Sequence, residues 1–80
     1  MKLLARNLSR KTTEEELREL FEPYGEVVSL SLVLDAGTGA SKGFAFLDMP
    51  NAREGLRAIK KLNGRDVRGN KIRVKAAVDK

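Results

Sequence analysis

The sequence predicts an α+β fold, in which a four-stranded antiparallel sheet is covered by two helices on one face only. Two stretches with helical periodicity alternate with four strand-like stretches, in the order strand, helix, strand, strand, helix, strand. The chain has 80 residues, 41% of them hydrophobic, which is enough for one core and too few for two domains. We therefore expect residues 1–80 to form a single domain.

The first strand and the first helix are predicted near the start of the chain. Residues 2–6 mix charged and apolar side chains, and the turn-forming residues 7–10 end that segment. Thr13 is followed by three glutamates, which is a capping box with negative charge in the first helical turn. The apolar residues that follow share one helical face: Leu17, Leu20, Phe21 and Tyr24. Pro23 and Gly25 then end the helix.

The middle of the chain predicts two strands joined by a turn. Residues 27–34 are rich in β-branched and aliphatic side chains, and they are too short and too poorly capped for a helix. Turn residues follow at 35–39, and residues 42–49 alternate between the two faces of a strand. The loop with glycines at 37 and 39 lacks the lysine and the spacing of a phosphate-binding P-loop. We therefore interpret it as a hairpin turn.

The second helix and the last strand complete the pattern. Asn51, with Glu54 three residues later, marks a helix start. The apolar positions of this helix are predicted to share one face: Ala52, Leu56, Ile59 and Leu62. Gly55 costs the helix roughly 1 kcal/mol relative to alanine, so we expect a neighbouring element to pack closely against it. After the turn residues 66–70, residues 71–75 alternate as a strand, which gives the ferredoxin-like βαββαβ sandwich.

The charge of the chain is uneven and favours a polyanionic partner. The net charge is +5, with five basic and seven acidic residues in 1–40 but eleven basic and four acidic residues in 41–80. Such a surplus favours nucleic acid, although solvated surface charge gives the same count. The chain has no cysteine, which excludes disulfides and suits a reducing compartment. With no signal-like or membrane-spanning apolar run, we expect a cytoplasmic protein that does not enter a membrane.

Strand parity sorts the side chains of the predicted sheet into two faces. If the apolar residues at 45, 47 and 49 point to the helices, Phe44 and Phe46 emerge on the uncovered face. The opposite parity would bury Lys42 and Asp48, which costs far more than exposing two rings. Exposed rings beside cations are what base stacking requires, because every nucleobase presents a π-face and phosphates need positive charge nearby. The same parity places five more residues outward: Lys2, Leu4, Arg6, Arg73 and Lys75.

These segments resemble the RNA recognition motif family. The octamer KGFAFLDM at 42–49 is similar to the family's signature, with five positions that fit and Met49 in place of an aromatic residue. The hexamer LLARNL at 3–8 resembles the family's first strand. The resemblance covers the whole chain, since residues 21–25 and 62–64 are similar to the segments that end the two helices in the family. As a compact copy of the motif, the chain resembles small RNA-binding proteins of bacteria and plastids, and a domain excised from a longer protein would have the same pattern.

The resemblance implies a monomeric domain that binds single-stranded RNA, with no catalytic residue, metal or cofactor. It implies that bases stack on Phe44, Phe46 and the residue at the position of Leu4. Leu4 replaces the usual Phe or Tyr, so we predict weak, micromolar binding that Arg6 partly restores. The expected RNA contacts are Phe44, Phe46, Leu4, Arg6, Lys42, Lys2, Asn7, Arg73 and Lys75. The expected role is post-transcriptional regulation or RNA chaperoning.

Three other interpretations stay open. Single-stranded DNA differs from RNA by contacts to the 2′-hydroxyl, which a sequence does not place. A protein-interaction module of the same fold is favoured by Leu4 and opposed by Phe44 and Phe46. An acylphosphatase-like enzyme would use a pair such as Arg6-Asn7, but the chain has no histidine, no cysteine and no glycine-rich cradle.

Overall fold

The computed structural model describes residues 1–77 and has the predicted order of elements, with one additional hairpin. The strands are β1 Lys2–Arg6, β2 Ser29–Leu34, β3 Ser41–Asp48, β4 Asp66–Val67, β5 Asn70–Lys71 and β6 Arg73–Ala76. The helices are α1 Glu14–Phe21 and α2 Ala52–Leu62, and a short 3-10 helix spans Glu22–Tyr24. The main sheet is antiparallel with the strand order β2-β3-β1-β6. Residues 78–80 of the predicted domain lie outside the described residues.

The core lies between this sheet and the two helices. The strand residues predicted to point inward are all buried: Leu3, Ala5, Ala45, Leu47, Met49, Ile72 and Val74. The helices contribute Leu17, Phe21, Ala58 and Leu62 to the same cluster. Because residues 45, 47 and 49 are at most 1% exposed, the predicted parity of β3 is confirmed. Neither helix in the described part of the chain is long and apolar enough to cross a membrane.

The buried face of α2 differs from the predicted one. Its buried residues are Gly55, Ala58 and Leu62. The predictions that Leu56 and Ala52 face the core are wrong, because Leu56 is 55% exposed and Ala52 is exposed as well. The helix instead packs through its small residues, and a Cβ atom added at Gly55 would lie 2.7 Å from the sulfur of Met1. The close neighbour expected at Gly55 is thus confirmed.

The segment predicted as a turn before the last strand forms a separate hairpin, and the last strand begins at Arg73 instead of at the predicted Lys71. Strands β4 and β5 pair with each other, Asp66 opposite Lys71 and Val67 opposite Asn70. The two turn residues, Arg68 and Gly69, have φ values of 54° and 86°. Positive φ at both central residues is typical of the type I′ turn that matches the twist of a hairpin.

The tip of this hairpin is tied to α1 by an ion pair. The Arg68 Nε atom donates to the two carboxylate oxygens of Glu16 at 2.9 and 3.1 Å, and its Nη2 also donates to Oε2. Glu16 also accepts a hydrogen bond of 3.2 Å from the backbone N–H of Thr13, which closes the predicted capping box. The hydrogen bonds from Arg68, and then that from Thr13, lower the pKa of Glu16.

We expect Glu16→Gln to make the stability of the fold less dependent on pH in the acid range. The pKa of Glu16 is lower in the folded chain, so the ion pair stabilises the fold above the unfolded-state pKa. That stabilisation is lost as the pH falls through the folded-state value. Glutamine can still close the capping box, so the variant isolates the pairing with Arg68. Urea unfolding at about pH 6 and about pH 3 measures the effect. A stability difference between wild type and variant that does not shrink on acidification would contradict it.

Candidate nucleic-acid interface

The face of the sheet opposite the helices carries both predicted rings. Phe46 is 42% exposed and Phe44 is partly exposed. Their ring centroids lie 6.1 Å apart with an angle of 86° between the ring planes, which is an edge-to-face pair. Each ring therefore restrains the other, and the pair presents a preorganised aromatic surface to the solvent.

The strand register places Leu4 directly beside Phe46. Leu4 on β1 is opposite Phe46 on β3, and Ser31 on β2 is opposite Phe46 on its other side. Lys75 on β6 is opposite Leu4, so one row of outward residues crosses all four strands. This row has a ring and a half-buried aliphatic side chain at its centre and a cation at one end.

Two arginines form a neighbouring pair on β1 and β6. Arg6 and Arg73 are directly opposite each other, and both side chains are exposed. Neither guanidinium has an ion-pair partner or hydrogen-bond acceptor among residues 1–77. Like charges directly opposite each other destabilise a sheet, so an anion between these two groups would relieve their repulsion. The fork of N–H donors on arginine suits phosphate in particular.

The predicted contact residue Asn7 has a structural role at the rim of this face. Its backbone is left-handed, with φ of 58°, where the chain leaves β1. Its side-chain Nδ2 donates to the backbone carbonyl of Lys71 at 2.8 Å. Its backbone carbonyl accepts a hydrogen bond of 3.2 Å from Asn70 Nδ2. Asn7 thus holds the extra hairpin against the end of β1.

The structure adds residues that the sequence pattern does not single out. Arg10 and Lys11 follow β1 and line the same surface depression as Phe44 and Lys42. Their only signal in the sequence is two consecutive basic residues in a segment that otherwise indicates a turn. Near the opposite end of the face, Lys2 lies across from Asp48. The other predicted contacts lie on the same face or at its rim, between these two ends.

A comparison with protein families agrees with this geometry. The sequence model of the RNA recognition motif matches residues 3–73. The chain belongs to the RNA recognition motif family. This RNA recognition motif is 39% identical over 79 residues to the mitochondrial glycine-rich RNA-binding protein 5 of Arabidopsis thaliana, covering 99% of the chain and 27% of the relative. It is 40% identical over 68 residues to the human cleavage stimulation factor subunit 2 tau variant, covering 85% of the chain and 11% of the relative.

Solved structures give the same RNA recognition motif fold. The crystal structure of RNA-binding protein PG1 matches with a TM-score of 0.95 and 35% identity, covering 100% of this chain and 96% of that one. A structure named as an Sxl-lethal protein–RNA complex matches with a TM-score of 0.93 and 34% identity, covering 99% of this chain and 47% of that one. The predicted family and the ferredoxin-like α+β fold are thereby confirmed. The chain spans only a minor part of the length of the curated relatives that it matches.

Proposed function

We propose that this domain binds single-stranded RNA on the uncovered face of its sheet. The observation that carries the proposal is the exposed pair of rings at 44 and 46, which lies on the same face of the sheet as Arg6, Arg73 and Lys75. Relatives that are named as RNA-binding proteins, and a homologous structure named as an RNA complex, support the same function.

Bases would stack on the two rings in the middle of the face. Neighbouring strands lie about 4.8 Å apart, so the four strands span about 14 Å. Such a sheet accommodates about two or three stacked bases. The partly exposed Leu4 lies next to Phe46, where it contributes apolar contact without a flat surface for a third base. We therefore propose affinity in the micromolar range.

The cations would hold the phosphates that join these bases. Arg6 and Arg73 together offer two guanidinium forks to one bridging phosphate. Lys75 lies opposite Leu4 at one side of the rings, and Lys42 lines the depression beside Phe44. Holding an unpaired strand in this way suits post-transcriptional regulation or RNA chaperoning, to which we extend the proposal. The cytoplasmic location, the monomeric state and the lack of catalysis and of a cofactor stay predictions.

We expect the affinity for a short single-stranded RNA to fall steeply with salt. For about three neutralised phosphates, the log-log slope is near −2, at about −0.7 per contact. The double variant Arg6→Gln, Arg73→Gln should make the slope shallower by about 0.7, because the one phosphate that these two arginines share is no longer neutralised. Anisotropy titrations of a labelled RNA between about 50 and 300 mM salt measure both slopes.

A matched control separates these contacts from the overall charge. Arg53→Gln, Arg57→Gln removes two exposed charges from α2, on the helical side of the domain. This control should leave the slope near that of the wild type. Equal slopes for both double variants, or the absence of saturable binding at low salt, would refute the proposal. A DNA strand of the same sequence tests the remaining choice of nucleic acid, and equal binding of that strand would favour the alternative of a general single-strand binder.

A further inference from the structure

Within residues 1–77, the uncovered face carries one acidic side chain, and it lies beside a stacking ring. Among the outward residues of β1, β2, β3 and β6 in the described chain, Asp48 is the only carboxylate. A negative charge weakens the attraction of this face for phosphate, so Asp48 does not serve backbone binding. Its side chain is 38% exposed, and its Oδ1 atom accepts a hydrogen bond of 3.5 Å from the amino group of Met1, with which it forms an ion pair.

A shallow depression connects Asp48 to Phe46. It is lined by Ser29 and Ser31 on β2, by Lys2 on β1, and by the β3 residues from Phe46 to Asp48. Phe46 and Asp48 are two residues apart on the same face of β3, which separates them by about 6.8 Å along the strand. A base that stacks on the Phe46 ring can therefore extend its edge into the depression, toward the carboxylate.

We infer that Asp48 selects guanine for the base that stacks on Phe46, an inference that rests on the proposed function. An ionised carboxylate only accepts hydrogen bonds, and its two oxygens can receive two parallel donors. The Watson–Crick edge of guanine presents two adjacent donors, N1–H and the N2 amino group, which match the carboxylate. Next to them is the O6 acceptor, and Lys2, directly across from Asp48, carries an ammonium group with three donors.

The other bases match this arrangement less well. Uracil has one N–H donor between two carbonyl oxygens, and a carboxylate repels both oxygens. Adenine and cytosine each present one amino group next to a ring nitrogen that is itself an acceptor. The hydroxyls of Ser29 and Ser31 both donate and accept, so they tolerate any base. The expected order is guanine first and uracil last.

The test uses short RNAs with uridine at every position except one, which is guanosine, adenosine, cytidine or uridine. The wild-type protein should bind the guanosine RNA about 5-fold more tightly than the all-uridine RNA. This is the lower end of the range for a bidentate base contact, because Asp48 is partly exposed. Replacing guanosine with inosine removes only the N2 amino group and should weaken binding about 3-fold.

The variant Asp48→Asn keeps the shape of the side chain and removes one of the two acceptors. In this variant the guanosine preference should fall to within about 2-fold, and inosine should bind as well as guanosine. Glu19→Gln on α1 is the matched control, because it makes the same change of charge at an exposed position in a helix. Only Asp48→Asn should lose the preference for guanine, and Glu19→Gln should keep it.

Three results would overturn the inference. The first is equal binding of all four RNAs by the wild type, and the second is a guanine preference that survives in Asp48→Asn. The third is equal binding of the inosine and guanosine RNAs by the wild type. The inosine comparison needs no protein variant, so it remains decisive if Asp48→Asn lowers stability. Failure of the proposed function looks different, because then none of the four RNAs would show saturable binding to the wild type.

Discussion

The double variant Phe44→Ala, Phe46→Ala is expected to bind single-stranded RNA roughly 30- to 1,000-fold more weakly than the wild type. Stacking on an aromatic side chain is worth about 1–3 kcal/mol per base, so two rings contribute about 2–6 kcal/mol. Every 1.4 kcal/mol is about tenfold in affinity. We expect the lower part of the range, because Phe44 is only partly exposed and its edge-to-face contact with Phe46 covers part of the pair. Anisotropy titration of a labelled RNA at constant salt measures the loss.

The same variant should remain folded, since neither ring belongs to the buried core. Urea unfolding of the double variant checks this, and its transition should lie near that of the wild type. Leu56→Ala is the matched control, because it removes an apolar side chain that is 55% exposed on α2. The control should bind RNA normally. A folded double variant with wild-type affinity would rule out stacking and would favour a protein partner for this face.

The orientation of these rings is the part of the site that the sequence predicts best, and the reason is energetic. In β3, charged and apolar residues alternate so that only one parity avoids burying Lys42 and Asp48. A one-residue slip would reverse every side chain, so the preference is summed over the whole strand. The structure has that parity, with Ala45 and Met49 fully buried.

Where residue size or backbone conformation decides, the sequence predicts less well. In α2 the apolar spacing favours Leu56 as a core residue, but the helix buries the small residues Gly55 and Ala58 instead, and the side chain of Met1 lies close to Gly55. At the hairpin, the turn pair is Arg68-Gly69, and arginine is an unusual residue at positive φ. Without Asn-Gly or Asp-Gly, the sequence lacks the strongest signal of a type I′ turn.

Contacts between distant segments are the least accessible from the sequence. Strand parity predicts that Arg6 and Arg73 both point outward, but only the pairing register of β1 with β6 shows that they are direct neighbours. The same holds for Arg10 and Lys11, whose approach to Phe44 depends on the path of the loop after β1. That path begins with a hydrogen bond of 2.8 Å from the Leu8 N–H to the Gly43 carbonyl. Such pairings join residues that are far apart in sequence, so local periodicity carries no information about them.

Restoring an aromatic residue at position 4 is expected to tighten RNA binding. Leu4→Tyr adds a third ring next to Phe46, at a position that is outward and half-buried on the central strand β1. One additional stacked base is worth about 1–3 kcal/mol, which is roughly 5- to 150-fold in affinity. We expect roughly 5- to 20-fold, because the aliphatic side chain of Leu4 already supplies some of the apolar contact. The gain should be largest for RNAs long enough to place a third base.

Two matched variants decide whether such a gain comes from stacking at this position. Leu56→Tyr introduces the same ring on α2 and should leave affinity unchanged, so equal gains would indicate nonspecific contact. Adding Phe46→Ala to Leu4→Tyr tests whether the rings act together, because they lie directly opposite on adjacent strands and should couple. Unchanged affinity of a folded Leu4→Tyr variant would show that no base lies over β1. The bound strand would then be confined to β3 and its neighbour β2, where Ser29 and Ser31 point outward.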